Sequence, residues 1–368
     1  MKKILIVSTV SRQFYLFEQG NIEVLKSLGY EVHGAANFED INERLDKIDI
    51  VRHHFDIQRS PFSLKNIKAY KQLKTIMKSE NFDAVHCHSP MGSVLARLVA
   101  RSIKLKNVIY TAHGFHFYKG APIINWLLYY PIEKWLSRYT DILITINKED
   151  FDRANSFKTC RVEYIPGIGV DSSKFSEDKR IRTKKRSELN IPENSFVILS
   201  VGELNRNKNH EAVIRAISKI ANKDVLYLIC GKGILENYLN DLIQELGLSN
   251  QVKLLGFRND LDEIYQAADL FAFPSYREGL SVSLMEAMAS GLPIVASQIR
   301  GNVDLIESND NGLLFKPKNT ESCAISIEKI ISNSGLRNEM KHRNLITIKK
   351  FSKKNVSEKM RDIYKNLL

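Results

Sequence analysis

Two glutamates, Glu278 and Glu286, stand eight residues apart in FAFPSYREGLSVSLMEAMASGLPIVAS, residues Phe271–Ser297. An ionised carboxylate only accepts hydrogen bonds, and its two oxygens suit a pair of vicinal hydroxyls, which both a ribose and a hexose present. Gly279 lets the backbone approach a ligand closely, and the amides at a helix start suit a diphosphate. Taken singly, each glutamate reads more readily as a solvated surface charge. The segment SVGELNRNKNHE, Ser200–Glu211, sets Arg206 and Lys208 in a loop between a strand and a helix. Cations so placed neutralise the charge that grows on a departing diphosphate, although a solvated loop fits the same residues equally well. In YTAHGFHFYKGAP, His113 follows a strand end and His116 comes soon after; a lone histidine is more often structural. HCHSPMG puts His88 at another strand end, and STVSRQF brings Ser11 and Arg12 after the first strand.

These loops need a frame that presents strand ends together. Lys3–Val10 reads as a strand, Phe17–Leu28 as a helix closed by Gly29, and Tyr30–Ala35 as the next strand. This β-α-β opening continues through Ala84–His86, Gly92–Val99, Asn107–Thr111 and Ile142–Ile146. The alternation restarts at Phe196–Val201 and runs through Val225–Cys230, Val252–Leu254, Leu270–Phe273 and Pro293–Ala296. Ligands on such α/β sheets bind beyond the carboxyl ends of the strands, where the chemistry-bearing segments fall. The expected organisation is an N-terminal Rossmann-like domain over 1–172 and a basic linker over 173–194. A C-terminal Rossmann-like domain follows over 195–340, then a helical segment over 341–368, with packing back on the first domain as one option.

The 368 residues are 43% hydrophobic, enough for two buried cores and unlike a disordered or fibrous chain. A formal charge of +12 favours anionic partners without choosing among them. No zinc-finger spacing and no RNP-like aromatic segment accompany that charge, so nucleic acid is not expected. Cys87, Cys160, Cys230 and Cys323 stand far apart, which argues against a metal cluster or disulfide framework and fits a reducing compartment. The first loop lacks the G-x-G-x-x-G of dinucleotide oxidoreductases. Ile4–Val7 is too short for a leader and reads as a strand, and no stretch has the length of a membrane span.

The glutamate segment resembles the E-x7-E signature of the retaining GT-B glycosyltransferases of family 4. LLGFRNDLDEIYQAADLF before it and IRGNVDLIESNDNGLLF after it extend the resemblance, which covers nearly the whole chain. It implies a GT-B fold, two Rossmann-like doubly wound domains facing across a cleft. It also implies a metal-independent hexosyltransferase that retains anomeric configuration. In this reading Glu286 holds the donor ribose and Glu278 the hydroxyls of the transferred sugar. Gly279, Leu280 and Ser281 present amides to sugar and diphosphate, and Phe257 and Arg258, after Gly256, lie where main-chain groups hold the base. Lys208 stabilises the leaving group beyond Gly202, and His113 sits beside the donor sugar. The family often has arginine directly after that glycine; here Glu203 occupies the position, and Arg206 is the candidate substitute.

The same resemblance points to bacterial enzymes that build capsular or exopolysaccharide repeat units on a lipid diphosphate. It implies a UDP-sugar donor, an N-acetylhexosamine among the candidates, with no cofactor and no metal. The acceptor is a polyprenyl-diphosphate-linked saccharide. A soluble or protein acceptor, or a non-catalytic UDP-sugar-binding subunit, are the alternatives. The stretch Ser60–Glu80 places lysines at 65, 68, 71, 74 and 78 and apolar residues at 64, 67, 70, 73 and 77, two stripes of one helix. An ordinary surface helix fits that pattern. The expectation drawn here is peripheral, salt-sensitive contact with an anionic membrane at its cytoplasmic face.

Overall fold

The computed structural model describes residues 1–40 and 42–367. The chain forms two compact units, Met1–Ile168 with Lys353–Leu368, and Gly169–Ser352.

In the first unit the strands are β1 (Lys2–Val10), β2 (Tyr30–Asn37), β3 (Val51–His54), β4 (Ala84–His88), β5 (Val108–Ala112), β6 (Ile142–Thr145) and β7 (Arg161–Tyr164). They form one parallel sheet in the order β3-β2-β1-β4-β5-β6-β7. β4 and β5 are wholly buried, as strands covered by helices on both faces must be. The edge strands β3 and β7 are short, polar and largely accessible, so their sequences carry no apolar run and neither was anticipated. The final helix, Lys353–Lys365, buries Val356, Met360, Ile363 and Tyr364 in the core that also holds Ile22, Val24 and Leu25. The segment expected over 341–368 is thus divided, its last helix belonging to the first unit and helix Ser334–Thr347 to the second.

The second unit contains β8 (Phe196–Val201), β9 (Val225–Cys230), β10 (Val252–Gly256), β11 (Leu270–Phe273), β12 (Ile294–Ser297) and β13 (Leu313–Phe315), in the order β10-β9-β8-β11-β12-β13. The basic run expected as a solvated linker over 173–194 contains a helix, Lys179–Glu188, capped by Asp178. Its cations have specific carboxylate partners: Lys185 bonds Asp260, Glu188 and Glu263, each at 2.7 Å, and Arg182 bonds Asp269 at 2.5 Å. Those pairs hold the helix against Leu261–Ala267, which is why it is ordered despite its composition.

The lysine-rich stretch is helical over Lys65–Ser79. Its apolar stripe divides. Leu73 and Met77 enter the core with Ala69, whereas Leu64 and Ile67 are exposed. Among the described residues no helix is long and apolar enough to cross a membrane.

Candidate active site

In each sheet the strand order reverses beside the first strand, so the loops leaving the two strands at that point share one corner. In the second unit those strands are β8 and β11. Asn209, at φ 54°, donates its side-chain amide to the carbonyls of Pro274 at 3.0 Å and Pro317 at 3.1 Å. It ties the start of helix His210–Ile217 to the loop after β11. Across that tie Lys208 Nζ reaches Glu278 Oε1 at 2.8 Å, with both side chains at most one-fifth exposed, and lies 4.9 Å from the Phe273 ring centre. The lysine stem runs over Gly202, where a Cβ would stand 3.1 Å from Lys208 Cδ. Arg300, buried and not anticipated, donates from Nε to the Glu278 carbonyl oxygen at 3.3 Å.

Glu278 leads into Gly279, Leu280 and Ser281. Ser281 Oγ accepts from the Leu284 amide at 3.4 Å and caps helix Val282–Ala289, whose first-turn amides face outward past it. The Gly279 backbone is pressed on Gly301, at φ 81°, where a Cβ would fall 2.0 Å from the Gly279 carbonyl oxygen. Glu286 lies one turn along this helix. Its Oε2 accepts from the hydroxyl of buried Tyr265 at 3.1 Å, so a core side chain sets the carboxylate's direction.

Phe257 is exposed after β10, and the Arg258 side chain is engaged by Asp260 at 2.6 and 2.8 Å and Glu188 at 3.3 Å. Arg206 is exposed and lines a different cavity with Asn205, Tyr238 and Tyr276, while Arg300 is the second cation bonded to Glu278. The loop after β9 was missed. Gly231 packs so closely on the β8 loop that a Cβ would lie 1.9 Å from the Gly202 oxygen. His210 is buried, its ring facing the backbone of Gly202 and Glu203 without a hydrogen bond of good geometry. Burial, with Lys208 nearby, lowers its pKa to about 4.

The corresponding corner of the first unit gathers histidines. Residues Phe14–Glu18 wind as a π-type turn, and Glu18 is buried. Gln13 Nε2 donates to Glu18 Oε1 at 2.7 Å and lies 3.2 Å from His113 Nε2. His88 Nδ1 is 3.1 Å from His113 Nε2 and 3.2 Å from Glu18 Oε1. Behind them His86 is held at 2.8 Å by both the Tyr364 hydroxyl and Thr111 Oγ1. Burial, then the neighbouring imidazoles, pushes His86 and His88 well below the ordinary histidine range. Burial also lowers His113, against the pull of Glu18. The array is therefore one of neutral imidazoles, bordering a cavity of about 230 Å³. Glu18, His88 and His113 offer ligand atoms within 4.8 Å of one another, as do the exposed Glu39 and His54 with Asp56, so either set has the spacing to hold a metal ion. Ser89 beside His88 sits at φ 62°, held by Thr9 through bonds of 3.0 and 2.7 Å. Ser11 is buried with no partner for its hydroxyl among the described residues, Arg12 is exposed, and His116 stacks on Tyr129 at 4.6 Å, outside the array.

Residues 181–345 match the sequence profile of Glycosyl transferases group 1, and residues 3–147 match that of Glycosyl transferase 4-like. EpsD of Bacillus subtilis (strain 168), which carries a glycosyltransferase name, is 38% identical, with 99% of this chain and 96% of that protein covered. An Escherichia coli UDP-Gal:alpha-D-GlcNAc-diphosphoundecaprenol alpha-1,3-galactosyltransferase is 29% identical, over 82% of this chain and 80% of its own. The crystal structure of Anabaena Alr3699/HepE in complex with UDP-glucose superposes with a TM-score of 0.83 over the full length of both chains, at 19% identity. The fold is that of the GT-B glycosyltransferases, two α/β units each built on a parallel sheet. With a relative this similar over its whole length, the chain belongs to the group 1 glycosyltransferases.

Proposed function

We propose that this glycosyltransferase moves a sugar from a UDP-sugar to a lipid-diphosphate-linked saccharide, in capsular or exopolysaccharide synthesis, with retention of anomeric configuration. The observation that carries the reading is the Lys208–Glu278 pair beside the Ser281-capped helix that presents Glu286. Glu286 takes the ribose hydroxyls, and Tyr265 keeps it aimed. Glu278 takes hydroxyls of the transferred sugar. Lys208, seconded by Arg300 behind the loop, meets the diphosphate as charge develops on it, together with the amides at the helix start. These fixed cations and dipoles do the work that a divalent ion would otherwise do, so the reaction is metal-independent. The neutral His113, oriented by His88 and Gln13, donates to the sugar or its phosphate. Retention places the departing phosphate and the incoming hydroxyl on one face of the sugar.

The bound UDP-glucose named for HepE supports a UDP-sugar donor, and the diphosphoundecaprenol named for the Escherichia coli relative supports the acceptor class. The donor is an N-acetylhexosamine or a hexose. Such an acceptor brings the enzyme to an anionic membrane, where the lysines of Lys65–Ser79 provide attraction. Calorimetry with UDP, GDP and ADP tests the donor assignment. UDP is expected to bind at least tenfold more tightly than the other two, and equal affinity for all three would remove the basis for a UDP-sugar.

A further inference from the structure

Helix Ile123–Leu136 is apolar on both faces: Trp126, Tyr129, Tyr130 and Leu136 face the core, and further apolar side chains face outward. Its charged Glu133 points inward and is buried, held by Arg97 at 2.9 Å and by the Tyr110 hydroxyl at 3.3 Å. Arg97 is itself buried, stacked 4.2 Å from the Tyr110 ring centre. That buried pair fixes the rotation of the helix and turns the opposite face outward. On that face Ile123 is 77% exposed, Leu127 66% and Ile124 55%, with Ile132 and Trp135 also exposed. An ordinary surface helix is polar on its outward face.

A second apolar segment adjoins it. Phe62 and Leu64 are each 81% exposed, and Ile67 is exposed as well. Pro61 and Phe62 line one cavity of about 420 Å³ with Leu128 and Ile132, which joins the two segments into a single apolar surface. Exposed patches of this extent mark contact surfaces.

The surrounding charge is mostly positive, with Lys68 of the first segment paired to Asp56 at 2.6 Å. Residues 59–79 contain Arg59 and five lysines and no acid; residues 119–138 contain Lys119, Lys134, Arg138 and the buried Glu133. A second copy packed on this face by two-fold symmetry would bring these cations opposite one another. Anionic headgroups complement them, while hydrocarbon takes the apolar side chains between, and a tryptophan suits the boundary.

We propose that this surface docks on an anionic lipid bilayer, with helix Ile123–Leu136 and the Phe62–Ile67 turn entering the acyl boundary. The inference rests on the membrane-linked acceptor proposed above and changes the nature of the contact. Charge attracts the protein, and apolar insertion holds it.

The sequence contains two tryptophans, Trp126 and Trp135, and both lie in this helix, so intrinsic fluorescence reports on it directly. Full-length protein mixed with phosphatidylcholine–phosphatidylglycerol vesicles should show a blue shift and quenching by lipids brominated on their acyl chains. Flotation should survive high salt in large part. The Ile123→Gln/Leu127→Gln variant should float at least tenfold less, and Lys65→Gln/Lys71→Gln should mainly lose salt dependence. Absence of quenching, or complete release of the wild type by salt, overturns apolar insertion. Self-association that the Ile123→Gln/Leu127→Gln variant abolishes, without vesicle binding by the wild type, would assign the surface to a second copy instead. UDP affinity and turnover on a water-soluble acceptor should be equal in the wild type and both variants, so failure of the wild type to bind vesicles while it still turns over counts against the docking and not against the proposed reaction.

Discussion

Glu286 and Lys208 divide the proposed chemistry, and each can be removed separately. Glu286→Ala deletes a charged acceptor from the ribose site, a loss of about 1.5–3 kcal/mol. Calorimetry should therefore show UDP binding weaker by roughly tenfold to a hundredfold, because each 1.4 kcal/mol is about a factor of ten. Unchanged affinity would place the ribose elsewhere. Lys208→Ala should lower turnover by about a hundredfold or more, as losses of this electrostatic kind do. The variant should stay folded by circular dichroism, since the lysine's neighbours are a partly accessible carboxylate and one aromatic face. Near-normal turnover in the folded variant would reject its role. Both residues are legible in the sequence because each lies on the stretch that runs from a strand end through a glycine into a helix. Arg300, bonded to Glu278 from 22 positions away, gives no such local signal, nor does Glu18, whose burial depends on a π-type turn and on histidines from two other strands.

At the scale of elements, the loops after β8, β9, β11 and β12 form the site because they are packed with no room between them. Gly301 lets one of these loops back directly onto the one carrying Glu278. Gly301→Ala should displace Gly279 and with it the sugar-binding carboxylate. A misplacement of about 1 Å can cost on the order of a hundredfold in rate. Gly247→Ala is the control. Its φ of 66° is similarly strained, but a Cβ there meets nothing within 4 Å. Steady-state kinetics should show a loss of turnover in the first variant and near-normal turnover in the second. Equal effects would mean that backbone strain alone, not the loop contact, matters. The alternation of strands and helices was readable from apolar runs and glycine stops, which is why most of both sheets was anticipated. β3 and β7 were not, because they are polar edge strands without an apolar run, and β13 is only three residues long. The helix Lys179–Glu188 was hidden for a different reason. Its cations read as solvated until their carboxylate partners, about 75 to 90 positions later in the chain, are brought beside them.

At the scale of the whole molecule, buried histidines contribute to the response to acid. His210 holds a pKa of about 4 through burial and Lys208, and burial lowers His86, His88 and His113 as well. In the unfolded chain each titrates near about 6.5. Between those values the unfolded state binds more protons, so stability rises with pH. The His210 contribution is complete above about 6.5 and is lost as the pH falls toward 4. Calorimetric scans should show a falling Tm across that interval, with a shallower fall for His210→Gln; identical slopes would remove His210 from the account. The two units carry two sites of different character, one cationic and one of neutral imidazoles, and the proposed reaction assigns a role to each. The measurement that tests this most directly is sugar transfer by the purified protein in excess EDTA. Radiolabelled UDP-, GDP- and ADP-sugars would be offered with a saccharide on polyprenyl diphosphate. The account predicts label in the lipid fraction from a UDP-sugar alone, undiminished by EDTA. Transfer only from a GDP- or ADP-sugar, or transfer that stops in EDTA and returns with magnesium or manganese, would contradict it.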